Sequence, residues 1–292
     1  MDHATSGNGL FSLKGKTALV TGASYGLGVS FAEGLAEAGA NVVLAARNLE
    51  KLRKVEEKIA SSGREAFSVA CDVGDSAQVE AMALAAQHRF GRVDILVNNA
   101  GQVAEAGIPT KNIPDQLFEQ TVRVNLLGLW YCCRHVGRVM LRDGRGGSII
   151  NLASIMGLGG TRDLAGAYQA TKAAVINLTR HLACSWADRG VRVNALAPGW
   201  FPTQLNAALL GNSHFRKWAE SLSCMNRLGK PEELIGPLLF LASDASSFVT
   251  GQTLAVDGGV SAGVGISRWP AEFDQAMAEM VPSEFSKRAG AA

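Results

Sequence analysis

A tyrosine and a lysine four positions apart are the side chains of this sequence best suited to moving a proton. Tyr168 and Lys172 lie in a stretch, 166–188, whose pattern predicts a helix, so the two side chains share one face. A free phenol has a pKa of about 10, and a neighbouring ammonium group favours its ionised form. Such a tyrosine can donate a proton to a carbonyl oxygen or take one from an alcohol. A surface tyrosine beside a solvated lysine would show the same spacing, so the pair needs supporting context.

A glycine-rich turn near the start of the chain indicates a site for a dinucleotide. The segment TGASYGLG (21–28) ends the predicted strand 17–21 and opens a predicted helix. Glycines 22, 26 and 28 permit a sharp turn and bring backbone N–H groups close to a pyrophosphate. Any tight strand-to-helix turn can use glycine, but a second strand about 20 residues further on favours the dinucleotide interpretation.

The end of the second predicted strand bears on which nicotinamide dinucleotide is bound. NAD-binding folds usually carry an Asp or Glu there, which holds the ribose 2′-hydroxyl. Here NVVLAA (41–46) runs into Arg47, and no carboxylate occurs between Glu37 and Glu50. A guanidinium is a charge-assisted partner for the 2′-phosphate of NADP. We therefore predict NADP as the preferred cofactor; NAD is the alternative, with Arg47 a solvated residue at a helix start.

Short apolar runs alternate with amphipathic stretches along the chain, which is the pattern of an α/β protein. The apolar runs are nearly continuous, as is typical of strands buried on both faces of a parallel sheet. Right-handed crossovers then give a doubly wound, Rossmann-type fold, with a mostly parallel seven-stranded sheet and helices on both faces. The predicted strands are 17–21, 41–46, 66–71, 93–98, 148–153, 191–196 and 253–257, and the predicted helices are 27–38, 48–61, 76–90, 115–141 and 166–188, with helical pieces in 204–243.

Composition argues against several other classes of protein. Charged residues make up 18% of the chain and the formal net charge is +2, so neither nucleic acid nor an anionic membrane is predicted as a partner. No uncharged apolar run reaches the ~20 residues of a transmembrane helix, and the N-terminus lacks the pattern of a signal peptide. The five cysteines and five histidines have no zinc-site spacing. We predict reduced thiols, a cytoplasmic location and no metal site.

The composition does not break before residue 260, so we predict one Rossmann-type domain over 1–260 and a C-terminal tail over 261–292. The tail is either a surface appendage or a segment that packs on a neighbouring subunit or beside the active site. The second hypothesis arises because exposing Trp269, Phe273 and Met277 together would be costly.

Several motifs, in order and at similar spacing, resemble those of the short-chain dehydrogenase/reductase family. The resemblance covers about residues 13–260. Within the family the chain is similar to the shorter, tetramer-forming branch with its gluconate 5-dehydrogenase-like and 3-oxoacyl-carrier-protein reductase-like members. The motifs are TGASYGLG (21–28), Asp72-Val73, NNAG (98–101), Asn125 in VNLLG, Ser154, Tyr168-x-x-x-Lys172 and Pro198-Gly199 with Thr203.

The resemblance implies four catalytic residues. Tyr168 would be the general acid/base, and Lys172, together with the oxidised nicotinamide, would help to ionise it. Ser154 would hydrogen-bond the substrate oxygen and steady its developing charge. Asn125 would hold a water molecule that links Lys172 to solvent.

The resemblance also implies where the cofactor and substrate lie. The cofactor would run from the adenine, beside Asp72 and Val73, to the nicotinamide at the segment after Pro198. By position, the substrate pocket would include Gln102, Ile155, Met156, Leu164, Trp200 and Leu205, although some of these residues could simply be core. The full cofactor set is Gly22, Ser24, Tyr25, Gly26, Leu27, Gly28, Arg47, Asp72, Val73, Asn99, Ala100, Gly101, Tyr168, Lys172, Pro198, Gly199, Phe201 and Thr203.

Together these features predict an NADP(H)-dependent oxidoreductase acting on a small ketone or secondary alcohol, as a homotetramer or a dimer. One alternative is an NAD-dependent polyol, sugar-acid or steroid dehydrogenase. Another, of a different class, is a non-catalytic regulator that binds a nicotinamide nucleotide. A sugar epimerase or dehydratase is a third, but those relatives use another glycine spacing and a larger C-terminal substrate region. Trp200 and Phe201 make an apolar or ring-bearing substrate as reasonable as a polyol.

Overall fold

Seven parallel strands form one sheet through the middle of the protein. The computed structural model describes residues 9–161 and 165–263. The strands are β1 (Thr17–Thr21), β2 (Asn41–Ala46), β3 (Ala66–Ala70), β4 (Ile95–Asn98), β5 (Gly147–Leu152), β6 (Val191–Pro198) and β7 (Thr253–Val256). They lie in the order β3-β2-β1-β4-β5-β6-β7, and every neighbouring pair is parallel. The predicted fold class is confirmed, and this sheet is parallel throughout rather than mostly so.

Helices cover both faces of the sheet, which is why the central strands contain so few polar residues. Every residue of β1 and β4 is buried. Helices α1, α2 and α9 pack on one face, and α3, α5 and α6 pack on the other. The described helices are α1 (Leu27–Glu37), α2 (Leu49–Ser61), α3 (Ser76–Phe90), α4 (Asp115–Val122), α5 (Leu129–Asp143), α6 (Gly166–Trp186), α7 (Ala207–Leu210), α8 (Ser213–Leu222) and α9 (Ile235–Ala242).

The long helix predicted over 115–141 is interrupted. Between α4 and α5 the chain forms a π-helical segment, Arg123–Gly128, so the backbone stays helical but gains a bulge. Gly128 fits there because a Cβ on it would lie 2.8 Å from a methyl carbon of Val73. The predicted range does not reveal such a bulge, because the chain is helical on both sides of it. Asn125 sits in this segment and is buried.

The strand order reverses between β1 and its neighbour β4, and this reversal determines where a ligand can bind. The chain leaves β1 toward β2 on one side, whereas β4 lies on the other side of β1. Connections that diverge in this way open a crevice at the carboxyl ends of the strands. The glycine turn that follows β1 and the Asn99-Ala100-Gly101 segment that follows β4 both lie at this edge.

The described residues also bear on the membrane and tail predictions. Among the residues that the structure describes, no helix combines the length and the apolar character needed to cross a bilayer. Most of the predicted tail, and Leu164 of the predicted substrate pocket, lie outside the described residues. The tail hypothesis therefore stays a prediction.

Candidate active site

The glycine turn after β1 adopts a backbone that requires glycine. Gly22 and Gly26 have φ angles of +66° and +59°, in the left-handed region that other residues rarely adopt. A Cβ on Gly22 would lie 2.9 Å from the Cα of Ala100, and one on Gly28 would lie 2.2 Å from the Gly22 carbonyl oxygen. Helix α1 starts directly after Gly26 and has no side-chain cap. The turn therefore presents a helix N-terminus, with its unpaired N–H groups and positive dipole end, to the crevice.

Side-chain hydrogen bonds tie this turn to the end of β4. Asn99 Nδ2 donates to the carbonyl oxygens of Thr21 (2.9 Å) and Gly22 (3.2 Å). In return, Thr21 Oγ1 accepts the backbone N–H groups of Asn99 and Ala100, each at 3.1 Å. These bonds hold two neighbouring loops together and shape the floor of the crevice.

A basic recess lies at the carboxyl end of β2. Arg47 lines it together with Ser24, Tyr25, Asp72 and Val73, all of which belong to the predicted cofactor set. The Asp72 side chain bonds its own loop, because its Oδ1 accepts the N–H of Gly74 at 2.9 Å.

A second cation, Lys51, lines the same recess and was not predicted from the sequence. The side chain of Asn48 caps α2 by accepting the Lys51 N–H at 2.9 Å, which fixes the first turn beside Arg47. The spacing of Arg47 and Lys51, four residues apart across a helix start, was the available signal. Two cations at one end of the crevice fit a phosphate group there.

Tyr168, Ser154 and Lys172 meet in a single cleft at the middle of the crevice, beside Gly22, Gly26 and Gly199. Ser154 follows β5, whereas Tyr168 and Lys172 lie in the first two turns of α6. The Ser154 hydroxyl hydrogen-bonds the Tyr168 phenol. We refer to this cavity as the catalytic cleft.

Burial controls the ionisation of the Tyr168–Lys172 pair. It raises the pKa of Tyr168, and the hydrogen bond from Ser154 only partly opposes it. Burial also lowers the pKa of Lys172 to about 8. Desolvation is the largest effect of the protein's own groups on both side chains. Tyr168 is thereby kept as the neutral phenol, the form that donates a proton. The expectation that Lys172, with the oxidised nicotinamide, favours the phenolate stays a prediction.

Asn125 lies behind the catalytic cleft. Its Oδ1 accepts the N–H of Gln102, and its Nδ2 donates to the Gln102 carbonyl oxygen, both at 2.8 Å. Asn125 Nδ2 also lies 3.4 Å from Thr171 Oγ1 on α6. The amide therefore joins the π-helical segment to the loop after β4 and to the helix that carries Tyr168.

The segment after β6 closes the other end of the cleft. Gly199 packs so closely on β7 that a Cβ would lie 2.7 Å from the Cα of Asp257. Asn206, which was not predicted from the sequence, also lines the cleft. Asn206 Oδ1 accepts the Thr203 N–H at 2.9 Å, and its Nδ2 donates to the Phe201 carbonyl oxygen at 2.8 Å. An asparagine three residues after a threonine, in a loop, is the only signal the sequence offers for this clasp.

The residues assigned to the substrate by position do not all come together. Leu205 lines the catalytic cleft, whereas Ile155, Met156 and Trp200 line a separate recess beside it. Gln102 lines the basic recess instead, and its Nε2 donates to the Gln120 carbonyl oxygen at 2.8 Å. The loop after β4 turns this side chain toward α4, and its role toward the substrate stays a prediction.

Known proteins resemble this chain along most of its length. A family model described as enoyl-(acyl carrier protein) reductase matches residues 22–261. Gluconate 5-dehydrogenase of Gluconobacter oxydans is 39% identical over 252 residues, which are 86% of this chain and 97% of that protein. A 3-oxoacyl-(acyl-carrier-protein) reductase of Staphylococcus aureus is 38% identical over 246 residues, covering 84% of this chain and 98% of that one.

A solved structure agrees with these sequence matches. The crystal structure of a gluconate 5-dehydrogenase from Burkholderia cenocepacia, in complex with NADP and tartrate, superposes with a TM-score of 0.85 at 39% identity. The match covers 89% of this chain and all of that one. The glycine turn, the Ser154–Tyr168–Lys172 cleft and these relatives agree, and this chain belongs to the short-chain dehydrogenase/reductase family of oxidoreductases.

Proposed function

We propose that this protein catalyses reversible hydride transfer between NADP(H) and a ketone/secondary alcohol pair, with Tyr168 as the general acid/base. The meeting of Tyr168, Ser154 and Lys172 in one cleft, next to the glycine turn, is the observation that carries the proposal. The NADP in the crystal structure of the Burkholderia relative supports the choice of cofactor.

The residues of the crevice suit NADP(H). Gly22 and Gly28 pack so closely on neighbouring backbone that only glycine lets the turn lie tight over the start of α1, where a pyrophosphate would meet the free N–H groups. Arg47 and Lys51 would hold the 2′-phosphate. Pro198 and Gly199 would hold the nicotinamide end, next to Tyr168. When bound, the reduced cofactor supplies the hydride.

The protein's own side chains then bind the substrate oxygen and transfer a proton to it. The Ser154 hydroxyl donates a hydrogen bond to the carbonyl oxygen and stabilises the negative charge that develops there. The Tyr168 phenol donates its proton to this oxygen and becomes a phenolate, which the Lys172 ammonium stabilises. In the oxidative direction Tyr168 takes the proton back from the alcohol.

The alternatives are weaker on the same observations. An NAD-dependent dehydrogenase would be expected to carry an acid at the end of β2, where this chain has Arg47. A non-catalytic regulator would be expected to have lost part of the set Asn125, Ser154, Tyr168 and Lys172, and all four are present. The homotetramer expected from the family resemblance stays a prediction, which light scattering of the purified protein can test.

Cofactor titration followed by turnover tests the proposal. Purified protein is titrated with NADPH and with NADH by quenching of tryptophan fluorescence, and a panel of ketones is then added. We expect tighter binding of NADPH and oxidation of NADPH with at least one ketone. Preferred binding of NADH would overturn the cofactor assignment, and binding without any turnover would favour the non-catalytic alternative.

A further inference from the structure

An apolar recess adjoins the catalytic cleft on the side of Ser154. Trp200 and Trp218 form one wall, with ring centroids 6.0 Å apart and edge to face. Phe215 packs edge to face on Trp200 at 5.4 Å but does not line the recess. Ile155, Met156 and Leu158 form the opposite wall. Trp218 and Leu158 remain 43% and 46% exposed, although each is flanked by other apolar groups. A surface of this kind is costly to leave in water.

Both walls of this recess continue directly from residues at the reacting centre. Ile155 follows Ser154 in the chain, and Ser154 Oγ accepts the Met156 N–H at 3.2 Å. Trp200 follows Gly199, which lines the catalytic cleft. A substrate whose oxygen meets Ser154 and Tyr168 therefore has the recess beside its carbonyl carbon.

The chemistry of the recess favours a flat apolar group. Of the described residues that line it, none carries an ionised side chain, and Thr161 and Ser261 supply the hydroxyls. A polyhydroxy acid would lose hydration there without gaining a cationic partner. Ring faces and edges pack well against tryptophan. We propose that the substrate is a ketone or secondary alcohol with an apolar, ring-bearing substituent, an inference that rests on the proposed function.

Two ketones of contrasting chemistry test this substrate class. One is 1-tetralone, a fused bicyclic ketone, and the other is 5-ketogluconate, the ketone implied by the activity named for the Gluconobacter relative. With NADPH we expect a higher kcat/KM for 1-tetralone. Trp218→Ala should raise its KM by about tenfold, whereas Phe248→Ala, which removes a fully exposed aromatic elsewhere, should not.

Preference for 5-ketogluconate, or a Trp218→Ala variant with unchanged KM for 1-tetralone, would overturn the proposal. Saturation-transfer NMR measures binding of 1-tetralone to the recess without any turnover. Binding that depends on Trp218 without turnover would uphold the recess and count against the proposed reaction alone. Absence of binding would overturn the substrate class.

A buried carboxylate carries a second, independent inference. Glu105, in the loop after β4, is fully buried. Its Oε1 accepts the backbone N–H of Tyr168 at 2.8 Å, and its Oε2 accepts the Thr121 hydroxyl at 2.6 Å. Tyr168 is the third residue of α6, and this helix has no side-chain cap of its own. Glu105 therefore supplies, from another loop, the acceptor that a helix N-terminus normally takes from its own N-cap residue.

The position of this bond connects it to catalysis. Glu105 lies at the amino-terminal end of α6 and accepts one of the N–H groups that the helix leaves without an intrahelical partner. Thr121 on α4 holds the other carboxylate oxygen, so the first turn of α6 is tied to a neighbouring helix. We infer that Glu105 is a positioning residue that fixes the Tyr168 phenol relative to Ser154.

Three variants test this role. Glu105→Ala removes the acceptor, Glu105→Gln keeps one oxygen for the Tyr168 N–H, and Asp94→Asn is the control. Asp94 is another buried carboxylate; it accepts the Thr17 N–H at 2.8 Å before β4, at the opposite edge of the sheet from the cleft. We expect Glu105→Ala to lower kcat by 10- to 100-fold, of the order that a ~1 Å misplacement causes. The pH profile of kcat should also shift, and Glu105→Gln should recover most of both properties.

Binding of adenosine 2′,5′-bisphosphate, which contains no nicotinamide, should be unchanged in all three variants. Unchanged kcat in Glu105→Ala, or equal defects in Glu105→Ala and Glu105→Gln, would overturn the inference. Hydrogen exchange of the Tyr168 amide provides a readout without turnover. The inference requires faster exchange in Glu105→Ala and not in Asp94→Asn, even if the proposed reaction fails.

Discussion

The ammonium nitrogen of Lys172 lies 5.4 Å from the centroid of the Tyr168 ring, one helical turn away on α6. It also donates a hydrogen bond to the carbonyl oxygen of Leu152, the last residue of β5. A cation is thus held under the phenol by the backbone rather than by a carboxylate. Because this contact is with a neutral carbonyl group, the charge of the ammonium remains available to stabilise a phenolate.

The buried ammonium of Lys172 should cost stability that a methionine would restore. Its pKa falls from 10.5 to about 8 in the folded protein, so the folded state binds fewer protons than the unfolded state between these values. The free energy of unfolding should therefore rise between pH 8 and pH 10.5. Below pH 8 the charged, buried Lys172 lowers it by the full amount, about 3 kcal/mol. We expect Lys172→Met to unfold at higher urea concentration at pH 7 and to lose turnover.

The control for this prediction is Lys54→Met, which removes an exposed lysine from a surface ion pair with Glu50. Its effect on the free energy of unfolding should stay within about 0.5 kcal/mol. A Lys172→Met variant less stable than the parent at pH 7 would mean that the hydrogen bond to Leu152 outweighs desolvation.

Arg47 should discriminate between the two cofactors. Loss of a charged hydrogen-bond partner costs about 1.5–3 kcal/mol, so Arg47→Gln should weaken NADPH binding by roughly 10- to 150-fold. Lys51→Gln should act in the same direction, and neither variant should change the Kd of NADH. Arg53→Gln, at an exposed position of α2, is the matched control. Equal weakening of NADPH and NADH would place the 2′-phosphate elsewhere.

Replacing Gly28 by alanine should lower stability and NADPH affinity, whereas replacing Gly236 by alanine should not. A Cβ at Gly28 would lie 2.2 Å from the Gly22 carbonyl oxygen, so Gly28→Ala must push the turn open, at a cost of about 1–3 kcal/mol. NADPH affinity should fall as well. Gly236 lies in α9. Apart from its chain neighbours and the backbone of its own helix, no atom of the described residues comes within 4 Å of the place that a Cβ would take, so Gly236→Ala should stabilise the protein by up to about 1 kcal/mol. Thermal unfolding and NADPH titration of both variants check the contrast.

The sequence predicted those features that depend on local pattern and on the geometry of parallel sheets. Buried strands such as β1 show as apolar runs, and the carboxyl ends of parallel strands meet at one edge, which brings Ser154 close to Tyr168. Asn206 and Glu105 were missed because their roles depend on loop conformations, which no periodicity encodes. Spacing reveals a charged neighbour but not the depth of burial, so the sequence did not show that desolvation raises the pKa of Tyr168 and lowers that of Lys172.

The Tyr168→Phe variant tests the central claim most directly. Phenylalanine keeps the ring but removes the proton donor, so ketone-dependent oxidation of NADPH should fall by about 10²–10⁴-fold. The Kd of NADPH, measured by fluorescence on the same samples, should change little. That outcome would establish Tyr168 as the acid/base of a working reductase. Turnover close to that of the parent protein, with NADPH still bound, would contradict the account.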